Sequence, residues 1–284
     1  MSTGHAVLLL RCLDRPGIVA ATAGLIFELG GNIVAADQHT DDEHGLFVQR
    51  IEFDLLGKDP DWDHVRSRVE EVAGRFDMAW TLHRPGRPDR IAILASKEGH
   101  CVLDLLSRVV LHELDAEIAF VAANHADLES EVSQRAVVFH HVPAGDDREA
   151  HEAALLDLIE SDDIDLVVLA RYMRILSAGF VERFEHRIIN IHHSFLPAFI
   201  GARPYHQAHA RGVKIIGATA HYATADLDEG PIIAQDVVPV SHRDTAEDLR
   251  RRGRDLERVV LARAVRLHLE RRILAYANRT VVFD

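Results

Sequence analysis

Between His83 and Asp89 the chain reads His-Arg-Pro-Gly-Arg-Pro-Asp, two prolines and a glycine among seven residues. Proline lacks a backbone donor and fixes φ, and glycine offers nothing to pack, so neither helix nor strand continues through such a stretch. The 284 residues are enough for two ordinary cores. The break therefore predicts a domain over 1–83, a linker over 84–89 and a second domain over 90–284. The apolar patterns on its two sides differ, and they predict different folds.

Before the break the pattern is strand, helix, strand, strand, helix, strand. A short apolar run over Val7 to Leu10 is followed by Pro16-Gly17, which opens a helical stretch ended by Gly30-Gly31. Ile33 to His39 and Leu46 to Phe53 read as strands joined by a turn at Asp41 to Gly45, then comes a helix over Trp62 to Gly74 and a strand over Met78 to Leu82. A βαββαβ order folds naturally as an antiparallel sheet with two helices on one face. After the break, apolar strands (Arg90 to Ala95, Ile118 to Ala122, Ile164 to Leu169) alternate with helical stretches such as Val102 to Leu111 and Glu149 to Ile159. Strands that are apolar throughout imply a mostly parallel sheet covered on both faces, an α/β domain of Rossmann-like character. Ile188 to His192 and Lys214 to Tyr222 are further strands, and Asp244 to Ala277 reads as one or two terminal helices.

Composition narrows the function. Lysine and arginine number 32 against 45 acidic residues, a formal charge of −13, which argues against nucleic acid or an anionic membrane as partner because a phosphate-binding face is basic. Cys12 and Cys101 are too few for a disulfide framework or a thiolate zinc site. The apolar run ending at Arg11 is too short for a signal-peptide core, and no stretch nears the roughly 20 apolar residues of a membrane span. The expected location is the cytoplasm.

Three stretches carry chemistry. In Asn190-Ile-His192, period-2 geometry puts an amide and an imidazole on one side of a strand end, where both can reach one carbonyl oxygen. The carboxyl ends of parallel strands are where open α/β sheets bind ligands. The same two residues could instead close backbone groups at the strand end. The segment His221 to Pro231 runs from a strand into an acidic loop closed by Gly-Pro, able to hang one carboxylate over the pair. The segment Leu169 to Leu176 offers an apolar slot at another strand end.

Together these stretches, Asn-x-His-x-Ser-x-Leu-Pro, Met-Arg-Ile-Leu and Leu-Asp-x-Gly-Pro, resemble the folate-dependent formyltransferase family. The fuller wording, Ile-Ile-Asn-Ile-His-His-Ser-Phe-Leu-Pro-Ala over 188–198 and Gly-Ala-Thr-Ala-His-Tyr over 217–222, is similar to the formyltetrahydrofolate deformylases within it. Asp14-Arg-Pro-Gly-Ile-Val and Gly30-Gly31-Asn32-Ile33 look like an ACT domain, which those deformylases carry. The resemblance implies hydrolysis of 10-formyltetrahydrofolate to formate and tetrahydrofolate, with the formate supplied to purine synthesis. It implies that Asn190 and His192 stabilise the tetrahedral intermediate, that Asp228 handles protons, and that Met173 to Leu176 wall the pterin. Tyr172, Arg174, Ile175, His221, Ala223 and Thr224 are the accompanying substrate-binding candidates. No cofactor or metal is implied, because a formamide-type carbonyl can be activated by hydrogen bonds. His206 and His209 at i, i+3 lack a nearby Glu or Cys to complete a metal set.

Water and an amine remain rival acceptors. The resemblance implies that glycinamide ribonucleotide would seat its phosphate on the turn Ser96 to Cys101, where Glu98 places a negative charge and His100 and Cys101 take up space; this favours water, though Lys97 could still bind phosphate. A formyltransferase with an amine acceptor is thus the runner-up, and a non-catalytic folate or amino-acid sensor a third reading. In the first domain, Asp14, Gly17, Gly31 and Asn32 are candidates for an amino-acid effector site. An exposed ACT sheet edge predicts a homo-oligomer.

Overall fold

The computed structural model describes residues 5–56, 60–197 and 204–283. They form two compact units: Met1–Arg87 with Arg271–Leu274 and Val281–Asp284, and Pro88–Glu270 with Ala275–Thr280.

The first unit follows the expected βαββαβ order: β1 (Ala6–Leu13), α1 (Ile18–Glu28), β2 (Gly31–Asp41), β3 (Leu46–Leu55), α2 (Trp62–Phe76) and β4 (Ala79–His83). The strands pair antiparallel in the order β2-β3-β1-β4. Alternation along β1 sends Ala6, Leu8, Leu10 and Cys12 into a core with Ile18, Leu25 and Ile26 of α1 and Val65, Val69 and Val72 of α2, so both helices pack on one face. Each buried Leu, Ile or Val among them contributes roughly 1.5–3 kcal/mol. Asp61 caps α2 by accepting hydrogen bonds from the backbone of Asp63 and His64.

The second unit holds β5 (Asp89–Ala95), α3 (His100–Val110), β6 (Ala116–Ala123), α4 (Glu129–Ser133), β7 (Val138–His141), α5 (Arg148–Ser161), β8 (Leu166–Ala170), α6 (Ala178–Glu182), β9 (Ile188–His192), α7 (Pro204–Arg211), β10 (Ile215–Tyr222), β11 (Ile232–Pro239) and α8 (Ala246–Leu269). Its seven strands run β11-β10-β9-β8-β5-β6-β7. The five from β7 to β9 are parallel, and β10 and β11 are antiparallel. The chain starts at the central β5, builds outward through β6 and β7, then returns to the other side of β5 with β8. That reversal opens a crevice at the carboxyl ends of β5 and β8. Alternate residues Ala92, Leu94, Val167 and Leu169 face α5 and α6, while α8 covers β9, β10 and β11 on the opposite face beside α3.

Two expectations are corrected. The terminal helix stops at Leu269, and Ile273–Tyr276 and Arg279–Val282 form a hairpin, β12 and β13. Arg271 takes a left-handed φ of 54° that ends the helical run, and Ala277 and Asn278 (φ 40° and 60°) make the tight turn between the strands. The strand β11 escaped notice because Gln235 and Asp236 interrupt its apolar run. No helix among the described residues is long and apolar enough to cross a membrane.

Candidate active site

Strand register assembles the site. In β9, Asn190 stands beside Leu169 of β8 on one side and opposite His221 of β10 on the other. Directly opposed residues bring their Cβ atoms within about 5.5 Å, and the Asn190 amide nitrogen lies 3.2 Å from His221 Nε2. His221 Nδ1 is 2.9 Å from the carbonyl oxygen of Tyr222, which fixes the ring proton on Nδ1 and leaves Nε2 to accept from Asn190. The second amide hydrogen of Asn190 points to Asp228 Oδ1 at 3.4 Å. The other carboxylate oxygen, Oδ2, is 3.1 Å from His192 Nδ1.

Asp228 reaches over the strands because its loop is pinned at both ends. Tyr222 donates its backbone N–H to Pro231, and Ala223 donates to Ile188 at the start of β9. Gly230 is where this closure is tightest: a Cβ there would stand 1.8 Å from the Tyr222 carbonyl oxygen. Asp228 itself has φ 58°, in the left-handed region that aspartate tolerates better than most residues. Burial alone would raise its carboxyl, but the His192 imidazole outweighs it and holds Asp228 well below the usual carboxylate range. An ionised Asp228 makes His192 Nδ1 a donor. His192 is 6% exposed, and its Nε2 is buried without a hydrogen-bond partner.

His192 is one of the residues lining a cavity of about 270 Å³. Every substrate-binding candidate of the second domain lines it: Tyr172, Met173, Arg174, Ile175, Leu176, His221, Ala223 and Thr224, together with Asn190, His192 and Asp228. The segment after β8 is held by the Met173 N–H donating to Ser96 Oγ at the end of β5, 3.0 Å away, across the crevice where the strand order reverses. Met173 and Ile175 stay exposed, 58% and 59%, at this wall. Tyr172 donates to His151 Nε2 at 2.6 Å, since His151 Nδ1 faces the Pro143 carbonyl. Desolvation pushes the Tyr172 phenol up to about 12, so it remains protonated.

Several expectations change. Strand alternation would put the adjacent His192 and His193 on opposite faces, but β9 ends at His192, and the two rings stack at 5.1 Å, both residues lining the cavity. Burial, with Arg171 and His192 nearby, pulls His193 down to about 4. Glu98 does not leave the 96–101 turn negative, because Arg250 and Arg254 of α8 bind it at 2.5 and 2.9 Å. The first-domain candidates are not gathered within one chain: Asp14 and Gly17 precede α1, while Gly31 and Asn32 follow its far end, about 16 Å away by helical rise. Gly31 has a packing reason of its own, since a Cβ would meet Ile26 Cγ2 at 2.9 Å. Ala198 of the quoted motif lies outside the described residues.

Sequence reasoning passed over Arg171 and the group behind it. Arg171 lines the cavity with a left-handed φ of 61°. Glu257, 1% exposed on α8, hydrogen-bonds His100 Nε2 at 2.7 Å and Tyr205 Oη at 2.6 Å. Helical spacing was a usable signal, because Glu257 follows Leu249 and Gly253 at four-residue steps on the buried stripe of α8. The ligand atoms of His100, Cys101 and Glu257 lie within 4.8 Å of one another. The set does not demand a metal: Glu257 already has its donors, and burial pushes the Cys101 thiol well up, keeping it protonated. His206 and His209 lie exposed on α7.

Comparison with known proteins follows the same outline. Residues 89–265 match the formyl transferase family and residues 6–74 the ACT domain. The formyltetrahydrofolate deformylase of Synechocystis sp. is 54% identical over 279 residues, 98% of each chain. The crystal structure of a formyltetrahydrofolate deformylase from Pseudomonas syringae pv. tomato superposes with a TM-score of 0.95 at 46% identity, covering 99% of this chain and 94% of that one. A glycinamide ribonucleotide transformylase from Symbiobacterium toebii is 36% identical with a TM-score of 0.67, and the match covers 96% of it but only 70% of this chain.

Proposed function

The chain belongs to the formyltetrahydrofolate deformylase family, and from that premise we propose that Asn190, His192 and Asp228 carry its hydrolysis of 10-formyltetrahydrofolate to formate and tetrahydrofolate. The observation that supports these roles is the orphaned Nε2 of His192, a cavity-lining residue beside an amide and a carboxylate that already touch each other. With Nδ1–H committed to Asp228, Nε2 is the ring atom left to hydrogen-bond the formyl oxygen as it becomes an oxyanion. Asn190 gives the same oxygen the hydrogen that now rests at 3.4 Å, a long contact, on Asp228. Donors of this kind are worth about 10²–10³ each in rate.

Asp228 Oδ1, vacated by Asn190, holds the attacking water. A carboxylate so far below neutral is a poor base at rest. It takes the proton as the carbon–oxygen bond forms, when the water itself turns strongly acidic. The proton passes to N10, the C–N10 bond breaks, and the formic acid loses its remaining proton to give formate. Tyr172 to Leu176 hold the folate ring, His221 orients Asn190, and Ala223 and Thr224 shape the wall. The chemistry needs no resident metal or cofactor, because hydrogen bonds activate the carbonyl.

Residues 1–83 act as the regulatory ACT domain, 84–89 as the linker and the second domain, expected over 90–284, as the catalytic domain, less residues 271–274 and 281–284, which group with the first unit. An amino-acid effector at the ACT domain, association through its eleven-residue edge strand β2, and a cytoplasmic location complete the reading. The test is formate release from 10-formyltetrahydrofolate with no amine present. Stoichiometric formate and tetrahydrofolate are expected; turnover only on adding glycinamide ribonucleotide would select the transferase.

A further inference from the structure

We infer that Arg171 is the seat of a small carboxylate on the cavity wall, the formate anion that the reaction leaves there. The inference rests on the hydrolytic reading. Its origin is a shortage of acceptors. Glu257 offers Oε2 to His100 at 2.7 Å and Oε1 to Tyr205 at 2.6 Å. Arg171 is left with an ion pair from Nε to Oε2 at 3.5 Å, and Nε is buried with no hydrogen-bond partner. Among the described residues the guanidinium has an attractive charge behind it and no acceptor for its N–H groups. Its side chain is 13% exposed and lines the cavity.

A guanidinium is a planar fork of five donors that fits a carboxylate in two parallel hydrogen bonds, and such charge-assisted pairs are the strong ones. The protein's own carboxylates nearby are spoken for. Glu98 is bound by Arg250 and Arg254, Asp228 by His192 and Asn190, and Glu257 by His100 and Tyr205. Among the described residues no acceptor is left for the Arg171 guanidinium, and a bound ligand can supply one. Glu257 keeps the guanidinium in place, its own position fixed by donors from α3 and α7. His193, kept neutral, adds no competing charge to that wall.

The substrate's glutamate tail also carries carboxylates, so the experiment separates the two sources. ¹³C-formate is titrated into the full-length protein without folate, its line broadening giving a dissociation constant, and p-aminobenzoylglutamate is titrated in parallel. Formate is expected to bind the wild type, about tenfold more weakly in Arg171→Gln, and with part of that loss restored in Arg171→Lys. The absence of formate broadening in the wild type overturns the proposal whether or not the variants fold. So does unchanged formate affinity in a folded Arg171→Gln, or a loss confined to p-aminobenzoylglutamate. Formate release without amine is measured on the same wild-type sample. Release with no formate seat leaves the hydrolytic reading standing and removes this one; failure of release removes the reading itself.

Discussion

The two units treat buried polar groups differently. In the first, polar side chains close on one another: the Thr22 hydroxyl donates to Gln49 Oε1 at 3.0 Å, and Arg50 is bound by Glu52 at 2.8 Å and by the Arg271 carbonyl at 3.1 Å. In the second, His192 Nε2 and Arg171 Nε are buried without hydrogen-bond partners, on residues that line one cavity. A buried polar atom left unpaired costs about 1–3 kcal/mol, and folding alone gives no reason to retain it. Closed polar pairs belong to architecture; of the second unit's open atoms, which include His100 Nδ1, Asn124 Oδ1 and Arg254 Nε away from the cavity, the two on cavity-lining residues are the ones a ligand can complete.

The largest test of this contrast is at the open groups. Asn190→Ala, His192→Ala and Asp228→Asn should each lower formate release by about 10²–10⁴ with circular dichroism unchanged. A near-wild-type rate in any one removes that residue from the mechanism. Thr22→Val in the first unit should do the reverse, lowering the melting temperature with little change in the rate of the chemical step. Next is Gly230→Ala, which should cost about 10–100-fold in turnover by displacing the Asp228 loop from the Tyr222 carbonyl; an unchanged kcat would mean that the loop position is not critical. Met173→Ala and Ile175→Ala remove exposed apolar surface, so each should raise KM by no more than about tenfold while leaving kcat and stability near wild type.

The smallest effect lies where the units behave alike. Burial holds His83 of the first unit and His193 of the second each down to about 4. Both rings are neutral when folded, while the unfolded chain takes up their protons below about 6.5. The stability from keeping them neutral is therefore complete above about 6.5 and lost as pH falls toward about 4, by at most about 1.4 kcal/mol per pH unit for each. His83→Gln and His193→Gln should each flatten the slope of stability against pH in urea titrations. A slope that neither changes would place the protons elsewhere. Asp228 works lower, its depressed carboxyl stabilising the fold above the ordinary value near 3.9 and losing that contribution as pH falls below it.

Much of this arrangement was legible in the residues. Apolar periodicity revealed the βαββαβ order and the parallel strands, because both depend on which faces are buried. The pairing of Asn190 with His192 was legible because alternation within a strand is local. What escaped depended on distant partners. His193 joined His192 on one wall only because β9 stops at His192. The C-terminal hairpin hid in helix-forming residues, its turn marked by Asn278 and not by glycine or proline. Arg171 acquires its meaning from Glu257, 86 residues further along the chain.

The central claim is that two donors and one carboxylate meet around a single formyl group. A crystal structure of the protein with a non-hydrolysable formyl-folate analogue tests it directly. The account predicts the formyl oxygen within about 3.2 Å of both His192 Nε2 and the Asn190 amide nitrogen, with a water between Asp228 and the formyl carbon. A formyl oxygen bonded to neither donor, or a carbon with no water on the Asp228 side, would contradict it.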